Sequence, residues 1–354
     1  MITPQLFLIE ACKTSRINFS RLEGRQIALL GLLGEFGSVS TVIKKKLRDE
    51  EAYLNYKQDL KEEIGDLLWY ILVISSHYGV CISDWPKATY SGAMATPQLV
   101  IVLNELINDF VVVLNNSTEH EIDTATLYIC LIKVIDTLDL LAKTINVNLQ
   151  ECAQDCYIKT SQYWVDFSSE LPARHFDRKF PDYEQLPRKF EITFRSVENS
   201  KAAIMYFNDV IIGDKLTDNK AYSDGYRYHD IFHICFAAML GWSPVLRKLL
   251  HCKRKSNSLI DEVQDGARAA IVEEAIINQI FDYGRPNNLE GIKRIDLNLI
   301  RKIQNIVNGL EVEVCEAWEW ENCILKSFEL FRTLISKDGG VVKIDADNRD
   351  IKIL

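Results

Sequence analysis

Glu63 and Asp66 stand three residues apart, and Glu62 and Asp66 four apart, in the segment LKEEIGDLLWY. On a helix both spacings put the carboxylates on one side, about one turn along the axis. Hard oxygen donors in that arrangement suit Mg2+, which takes carboxylate ligands from two facing helices as readily as from one. Glu35, in GEFGS on the preceding apolar-periodic stretch, is the candidate from the opposite side. Gly34 and Gly37 frame it and would let a helix or a phosphate approach closely. The competing reading of such a set is a solvated charged face that includes Lys61.

A second constellation lies between Asp224 and Glu274. In YRYHDIFH, His229 and His233 are four apart and Asp230 precedes His233 by three, so the three can share one helical face and hold a divalent ion. Glu262 and Asp265 repeat the E-x-x-D spacing on the next long apolar-periodic segment, and Glu273 and Glu274 follow. If that segment is one helix, Glu273 lies within about 20° of the face of Glu262 but about 16 Å along it, so it would serve a second ion or hold a base. Metal ligation is therefore expected of Glu35, Glu63, Asp66, His229, Asp230, His233, Glu262, Asp265 and Glu273, and water orientation of Glu63 or Glu274. Between the two acidic groups runs a basic stretch, Arg247, Lys248, His251, Lys253, Arg254 and Lys255. Arg254 and Lys255 are the expected phosphate contacts, because guanidinium and ammonium groups beside a metal cage are what a triphosphate requires.

These residues need helices to position them, and the chain supplies them. Apolar periodicity predicts helices over about 27–46, 60–77, 98–114, 127–145 and 150–164, which make a bundle. Within it Leu60, Ile64, Leu67, Leu68 and Val80 match Leu127, Leu131, Val134, Ile135 and Val147 at an offset of 67, with LGEFGS matching LNELIN at 70. A degenerate tandem hairpin repeat is one explanation of that echo. The second hairpin pairs Glu105 with Glu35, but Asn108 with Ser38 and Lys133 with Asp66, so it is no independent metal site. Pro172, Pro181 and Pro187 mark a linker. Beyond it, alternation at Phe190, Ile192 and Phe194, a turn at Asn208-Asp209, and a closing pair of strands around Asp347-Asn348 accompany helices over about 226–240, 259–283, 296–308 and 312–335. The fold class is mainly α: an all-α bundle over 1–167, a Pro-containing linker over 168–190, and a mostly helical domain with small β-hairpins over 191–354.

Composition narrows the function. With 354 residues, 47% hydrophobic and 26% charged, the chain can bury a core, and wholesale disorder is excluded. A net charge of −9 speaks against a nucleic-acid coat, though not against a metalloenzyme. No basic n-region with a long apolar run opens the chain and no uninterrupted apolar window reaches membrane length. The nine cysteines lack a paired metal-ligand spacing and read as reduced structural thiols, so the expected compartment is cytoplasmic, with no membrane partner.

The string GLLGEFGSVSTVIKKKLRD followed by LKEEIGDLLWYILVISSHYGV resembles the MazG family of all-α nucleoside triphosphate pyrophosphohydrolases, whose pattern is E-x2-E, a spacer, then E-x2-D. Glu35 falls on the first position, Glu63 on the third and Asp66 on the fourth; the second Glu is Ser38 here, a weaker ligand. DGYRYHDIFHICFAAMLGWSPVLRKLLHCKRKS and the residues beyond it, to the end of the chain, resemble the C-terminal domain that accompanies some MazG-like modules. The resemblance implies Mg2+-dependent (or Mn2+-dependent) hydrolysis of a nucleoside triphosphate to monophosphate and pyrophosphate, in nucleotide-pool control or phage defence. It also implies a homo-oligomer, although the second hairpin could complete within one chain the bundle that such modules build by dimerising. The alternatives are a catalytically weakened nucleotide sensor, or a phosphohydrolase of the HD type using His229-Asp230. His233 and Glu262 are expected to matter more to activity than Glu35.

Overall fold

The computed structural model describes residues 2–85, 94–115, 122–163, 173–198, 200–218, 223–285 and 287–354. The chain divides into two compact units, Met1–Trp164 and Val165–Leu354. Mainly helical architecture with a small antiparallel sheet is what the periodicity predicted.

The first unit is built from α1 (Pro4–Thr14), α2 (Leu22–Asp49), α3 (Tyr56–His77), α4 (Thr96–Asn115), α5 (Thr124–Lys143) and α6 (Leu149–Tyr163). Helix α1 was not anticipated. Its short PQLFLIEACKT sequence carries little periodicity, and its start is set by Thr3, whose side chain accepts from the Leu6 amide, with Pro4 at the first helical position. Helices α2 and α3 pair, as do α4 and α5, and α6 lies along α3. Every residue of the internal echo at the offset of 67 is buried, from Leu60, Ile64, Leu67 and Leu68 to Leu127, Leu131, Val134 and Ile135, so the two hairpins supply equivalent layers of one core. Fully burying each such Leu or Ile contributes about 1.5–3 kcal/mol.

Two helical stretches, Leu22–Ala52 and Thr96–Asn115, do reach the length and apolar content of a membrane span. In the fold each packs one face into the bundle, while Ile27, Leu30 and Leu33 of α2 and Ile101 and Val112 of α4 stay exposed.

Close helix approach in this unit is set by two glycines other than those the sequence singled out. A Cβ on Gly31 would meet the Tyr70 ring at 2.1 Å, and one on Gly65 would meet the Cys152 carbonyl oxygen at 2.7 Å. Gly34 and Gly37 face open space, with nothing within 4 Å.

In the second unit β1 (Lys189–Ser196), β2 (Ala202–Phe207), β3 (Val210–Thr217), β4 (Gly339–Asp345) and β5 (Asp350–Ile353) form an antiparallel sheet in the order β3-β2-β1-β4-β5. The β2–β3 turn is at Asn208-Asp209, both with positive φ (50° and 60°), as a two-residue hairpin needs. The two hairpins expected from sequence are thus parts of one sheet, joined by the β1–β4 ladder from Lys189↔Asp345 to Arg195↔Gly339.

Its helices are α7 (Asp230–Cys235), α8 (Pro244–Leu249), α9 (Ser258–Val263), α10 (Ala267–Gly284), α11 (Leu297–Ile306) and α12 (Ala317–Lys337). Phe232 of α7 packs edge-on against Phe328 of α12 (5.0 Å between centroids), while Trp320 and Trp242 fill the same core. The single helix expected over 259–283 is broken at Gln264–Gly266, which separates α9 from α10.

The expected linker also needs correction. Residues 168–172 lie outside the described residues, but 173–188 are built into the second unit. Asp177 is buried and accepts from Arg247 (2.7 Å) and the Leu186 amide (2.8 Å), and Arg174 clasps Glu319 with two nitrogens.

Candidate metal and phosphate sites

In the first unit the α2–α3 pairing brings Glu35 to Glu63 and Asp66, with one carboxylate oxygen of each within 4.8 Å of the others. The α3–α6 contact through Gly65 adds Lys159, which donates to both oxygens of Asp66 and lies 3.4 Å from Glu62. Cys156 Sγ sits 3.5 Å from Asp66, and Lys61 is drawn to Asp155 on α6 at 2.8 Å. Burial, followed by the charge of Asp66, raises the Glu35 carboxyl above its usual range. For Glu63, burial followed by Asp66, Glu35 and Glu62 raises it to about 7 despite Lys159. Half-buried carboxylates that repel one another in this way are stabilised by a cation, and their oxygens are the hard donors that Mg2+ takes. Ser38, one turn after Glu35, adds only a hydroxyl to that face. In the second hairpin Glu105, Asn108 and Lys133 are all exposed.

In the second unit α7 and α10 bring together His229, His233 and Glu274, again with ligand atoms within 4.8 Å of one another. Asp230 Oδ1 is 3.3 Å from His229 Nε2 and 3.9 Å from His233 Nε2. Glu273 does not join that group. It is fully buried and takes three donors: His233 Nδ1 at 2.7 Å, Ser243 Oγ at 2.6 Å and the Val245 amide at 2.9 Å. The role expected of it as a ligand gives way to one of holding the ring of His233. On the other histidine, Nδ1 lies 2.9 Å from the Tyr226 carbonyl oxygen, and the ring stacks on that of Tyr226 at 4.2 Å and 6°.

Burial works against a charged His233, but Glu273, Glu274 and Asp230 outweigh it and raise its pKa to about 10. Burial likewise would raise Glu274; the imidazoles of His233 and His229 outweigh it and hold the carboxyl below its usual range. This group of carboxylates favours positive charge at His233 Nε2, which a proton or a metal ion can provide.

The remaining expected residues lie elsewhere. Because the chain breaks at Gln264–Gly266, the phase relation between Glu262 and Glu273 does not hold, and Glu262 sits exposed on α9. Asp265 is buried and accepts from the Arg254 backbone amide (2.7 Å), from Nε (3.1 Å) and from a terminal guanidinium nitrogen (2.6 Å) of the same residue. Arg254 is itself 1% exposed and also grips Glu311 through both terminal nitrogens, at 2.8 and 2.7 Å. Its charge is spent inside the unit, so the phosphate contact expected of it is not open to it. Lys255 is exposed and lines a cavity of about 620 Å³ with Lys248, His251 and Lys253 opposite Phe207, Ile211 and Leu249.

Sequence reasoning missed Lys159, Ser243 and the carbonyl of Tyr226. Lys159 follows Cys152 by seven residues on α6, and Cys152 packs on Gly65 of α3, one residue before Asp66; the signal was there only once α3 and α6 were known to touch.

A helical bundle carrying a carboxylate cluster, and a helical domain with a small sheet carrying an imidazole–carboxylate cluster, define a class of metal-binding candidates. Residues 171–354, just over half the chain, match the family model of the MazG C-terminal domain. The chain belongs to that family and is a MazG-related protein, and the family supports a nucleotide-related function. It is also similar to the "Gene 37 protein" of Mycobacterium phage L5, with 33% identity over 64 residues, 18% of this chain and 56% of the relative. The chain therefore spans about half the length of that curated relative. No solved structure matches it.

Proposed function

We propose that the protein is a divalent-cation-dependent hydrolase that splits a nucleoside triphosphate into monophosphate and pyrophosphate, with Glu35, Glu63 and Asp66 holding the cation. The observation that carries this reading is the convergence of those three carboxylates from α2 and α3. Membership of a MazG family and the E…E-x2-D pattern support it from the sequence side. When bound, Mg2+ or Mn2+ would neutralise phosphate charge and lower the pKa of a coordinated water. Glu63, with a carboxyl raised to about 7, is in the range that suits a general base near neutral pH. Lys159, held at the edge of the cluster by Asp66, is the ammonium in reach of a phosphate. The exposed Ile27, Leu30 and Leu33 of α2 support self-association through that helix, in keeping with the proposed homo-oligomer. A cytoplasmic role in nucleotide-pool control or phage defence belongs to the same proposal.

One observation favours a second reading, a nucleotide sensor without turnover. The Lys159–Asp66 pair already provides positive charge within the acidic cluster, and Ser38 contributes no carboxylate. The deciding experiment incubates the full chain with each common triphosphate plus Mg2+ or Mn2+ and resolves the products by mass. Pyrophosphate and monophosphate, lost in Glu35→Gln and Glu63→Gln, are the expected result. Binding without products would favour the sensor. Inorganic phosphate or an opened phosphodiester would move the chemistry to His229-Asp230. On the pyrophosphohydrolase reading Glu35 would matter more than Glu262 to pyrophosphate release, contrary to the ranking expected from sequence; Glu262 is exposed and outside both clusters.

A further inference from the structure

We infer that the second unit holds a transition-metal dication of the Zn2+ and Mn2+ class, bound by His229 Nε2, His233 Nε2 and a carboxylate oxygen of Glu274. This goes beyond the proposed pyrophosphohydrolase reading, which places a hard cation among carboxylates of the first unit.

Three observations carry it. The first is the donor set: two imidazoles and a carboxylate, with ligand atoms within 4.8 Å of one another. Imidazole favours zinc, iron, nickel or copper, and with a carboxylate it also accepts manganese, whereas Mg2+ prefers oxygen alone.

The second is His233 Nε2. The His233 side chain is 1% exposed, and this nitrogen has no hydrogen-bond partner among the described residues. Glu274 Oε1 lies 3.3 Å from it without the alignment of a hydrogen bond. In place of an aligned acceptor it faces the carboxylate oxygens of Glu274 at 3.3 Å and Asp230 at 3.9 Å, a setting that suits a cation on Nε2, whether a proton or a metal ion.

The third is the outer support. Each ring is held through Nδ1, His229 by the Tyr226 carbonyl at 2.9 Å and His233 by Glu273 at 2.7 Å. Both acceptors favour a proton on Nδ1 and leave Nε2 as the ligating nitrogen, the arrangement that orients metal-bound histidines. Glu273 is in turn fixed by Ser243 Oγ and the Val245 amide, so α7, α8 and α10 together set the ring angle. A purely structural histidine pair would have no need of two separately locked tautomers facing one point.

Glu274 is the outermost ligand, with its side chain 45% exposed, and it leaves the centre open to solvent on that side. Three protein ligands with an open position are the pattern of a metal site that keeps a water or a substrate group. Asp230, beside both Nε2 atoms, is placed to accept a hydrogen bond from such a water or to enter as a fourth ligand.

The test strips the full chain with a chelator and titrates Zn2+, Mn2+ and Mg2+ by calorimetry, with Co2+ followed by visible absorption. We expect about one tight Zn2+ equivalent, Mn2+ weaker but at the same site, and a Co2+ spectrum without a thiolate band. His233→Ala should abolish binding. Because that ring is buried and its loss can unfold the domain, Glu274→Gln, at a half-exposed position, is the second variant and should weaken Zn2+ at least tenfold with the melting temperature of the apo protein retained. Glu273→Gln, a positioning change, should weaken it by about 10–100-fold, and Glu35→Gln should leave it unchanged. Zn2+ binding no tighter than Mg2+, binding that survives in folded Glu274→Gln, loss in Glu35→Gln, or a thiolate charge-transfer band from the free cysteines would each overturn the inference. Failure of pyrophosphate release with these results intact would sink only the first-unit reading.

Discussion

Lys159 on α6 donates to both oxygens of Asp66 on α3 and so brings an ammonium into a cluster of four carboxylates, Glu35, Glu62, Glu63 and Asp66. On the proposed reading the pair would compete with a metal ion for Asp66 and at the same time hold a positive group beside an incoming phosphate.

Replacing Lys159 by Met should therefore separate these two effects. Mg2+ affinity should rise several-fold, since Asp66 is released and a like charge is removed, while turnover of triphosphate falls by about tenfold or more. Calorimetry with Mg2+ and a pyrophosphate-release assay check the two directions, and a drop in both would mean that Lys159 only holds α6 in place.

Glu63 gives a pH dependence with a definite sign. Its carboxyl rises from an ordinary 4.5 to about 7 in the folded chain, so folding favours the protonated form. The associated stability is fully present below about pH 4.5 and is lost as pH rises through about 7. In chelator, the melting temperature should decline across that window, and Glu63→Gln should flatten the decline. Added Mg2+ should raise the melting temperature more at the alkaline end than at the acidic end.

The packing glycines differ in what surrounds them. At Gly65 a methyl group meets backbone, the Cys152 carbonyl oxygen at 2.7 Å, so Gly65→Ala should separate α3 from α6 and cost about 1–3 kcal/mol in urea denaturation. At Gly31 it meets the Tyr70 ring, which can turn away, and the cost should be smaller. At Gly34, where nothing lies within 4 Å, alanine should stabilise α2 by up to about 1 kcal/mol through helix propensity alone.

Asp265→Ala should destabilise the second unit by about 3–5 kcal/mol, because it removes the buried carboxylate that takes the backbone amide, Nε and one terminal nitrogen of Arg254, and leaves that guanidinium with Glu311 as its remaining carboxylate. Zn2+ binding by the folded fraction should be unaffected. A selective loss of metal at unchanged melting temperature would restore Asp265 to the ligand role its spacing suggested.

Much of the fold could be read in the sequence because both units bury regular apolar faces. Leu60, Ile64, Leu67 and Leu68 mark α3 to within a few residues, and Asn208-Asp209 marks its hairpin. The Glu35–Glu63–Asp66 meeting was expected from the carboxylate spacing together with the MazG resemblance, and the His229–His233 meeting from their four-residue spacing. What could not be read was long-range partnership. An E-x-x-D looks the same whether it faces a cation or, as Asp265 does, two arginines from α8 and the loop after it. Nor does helical phase survive a break such as Gln264–Gly266, where a single glycine N-cap restarts the count. Adjacent Glu273 and Glu274 have the same side chain, yet one is sealed against Ser243 and the other opens to water.

The ladder between β1 and β4 joins strands with the helices of the second unit between them in sequence. Loops that long close slowly, so β1 keeps an unsatisfied edge until β4 returns to cover it. During synthesis on the ribosome that edge stays open to illegitimate pairing until β4, which follows α12, has emerged.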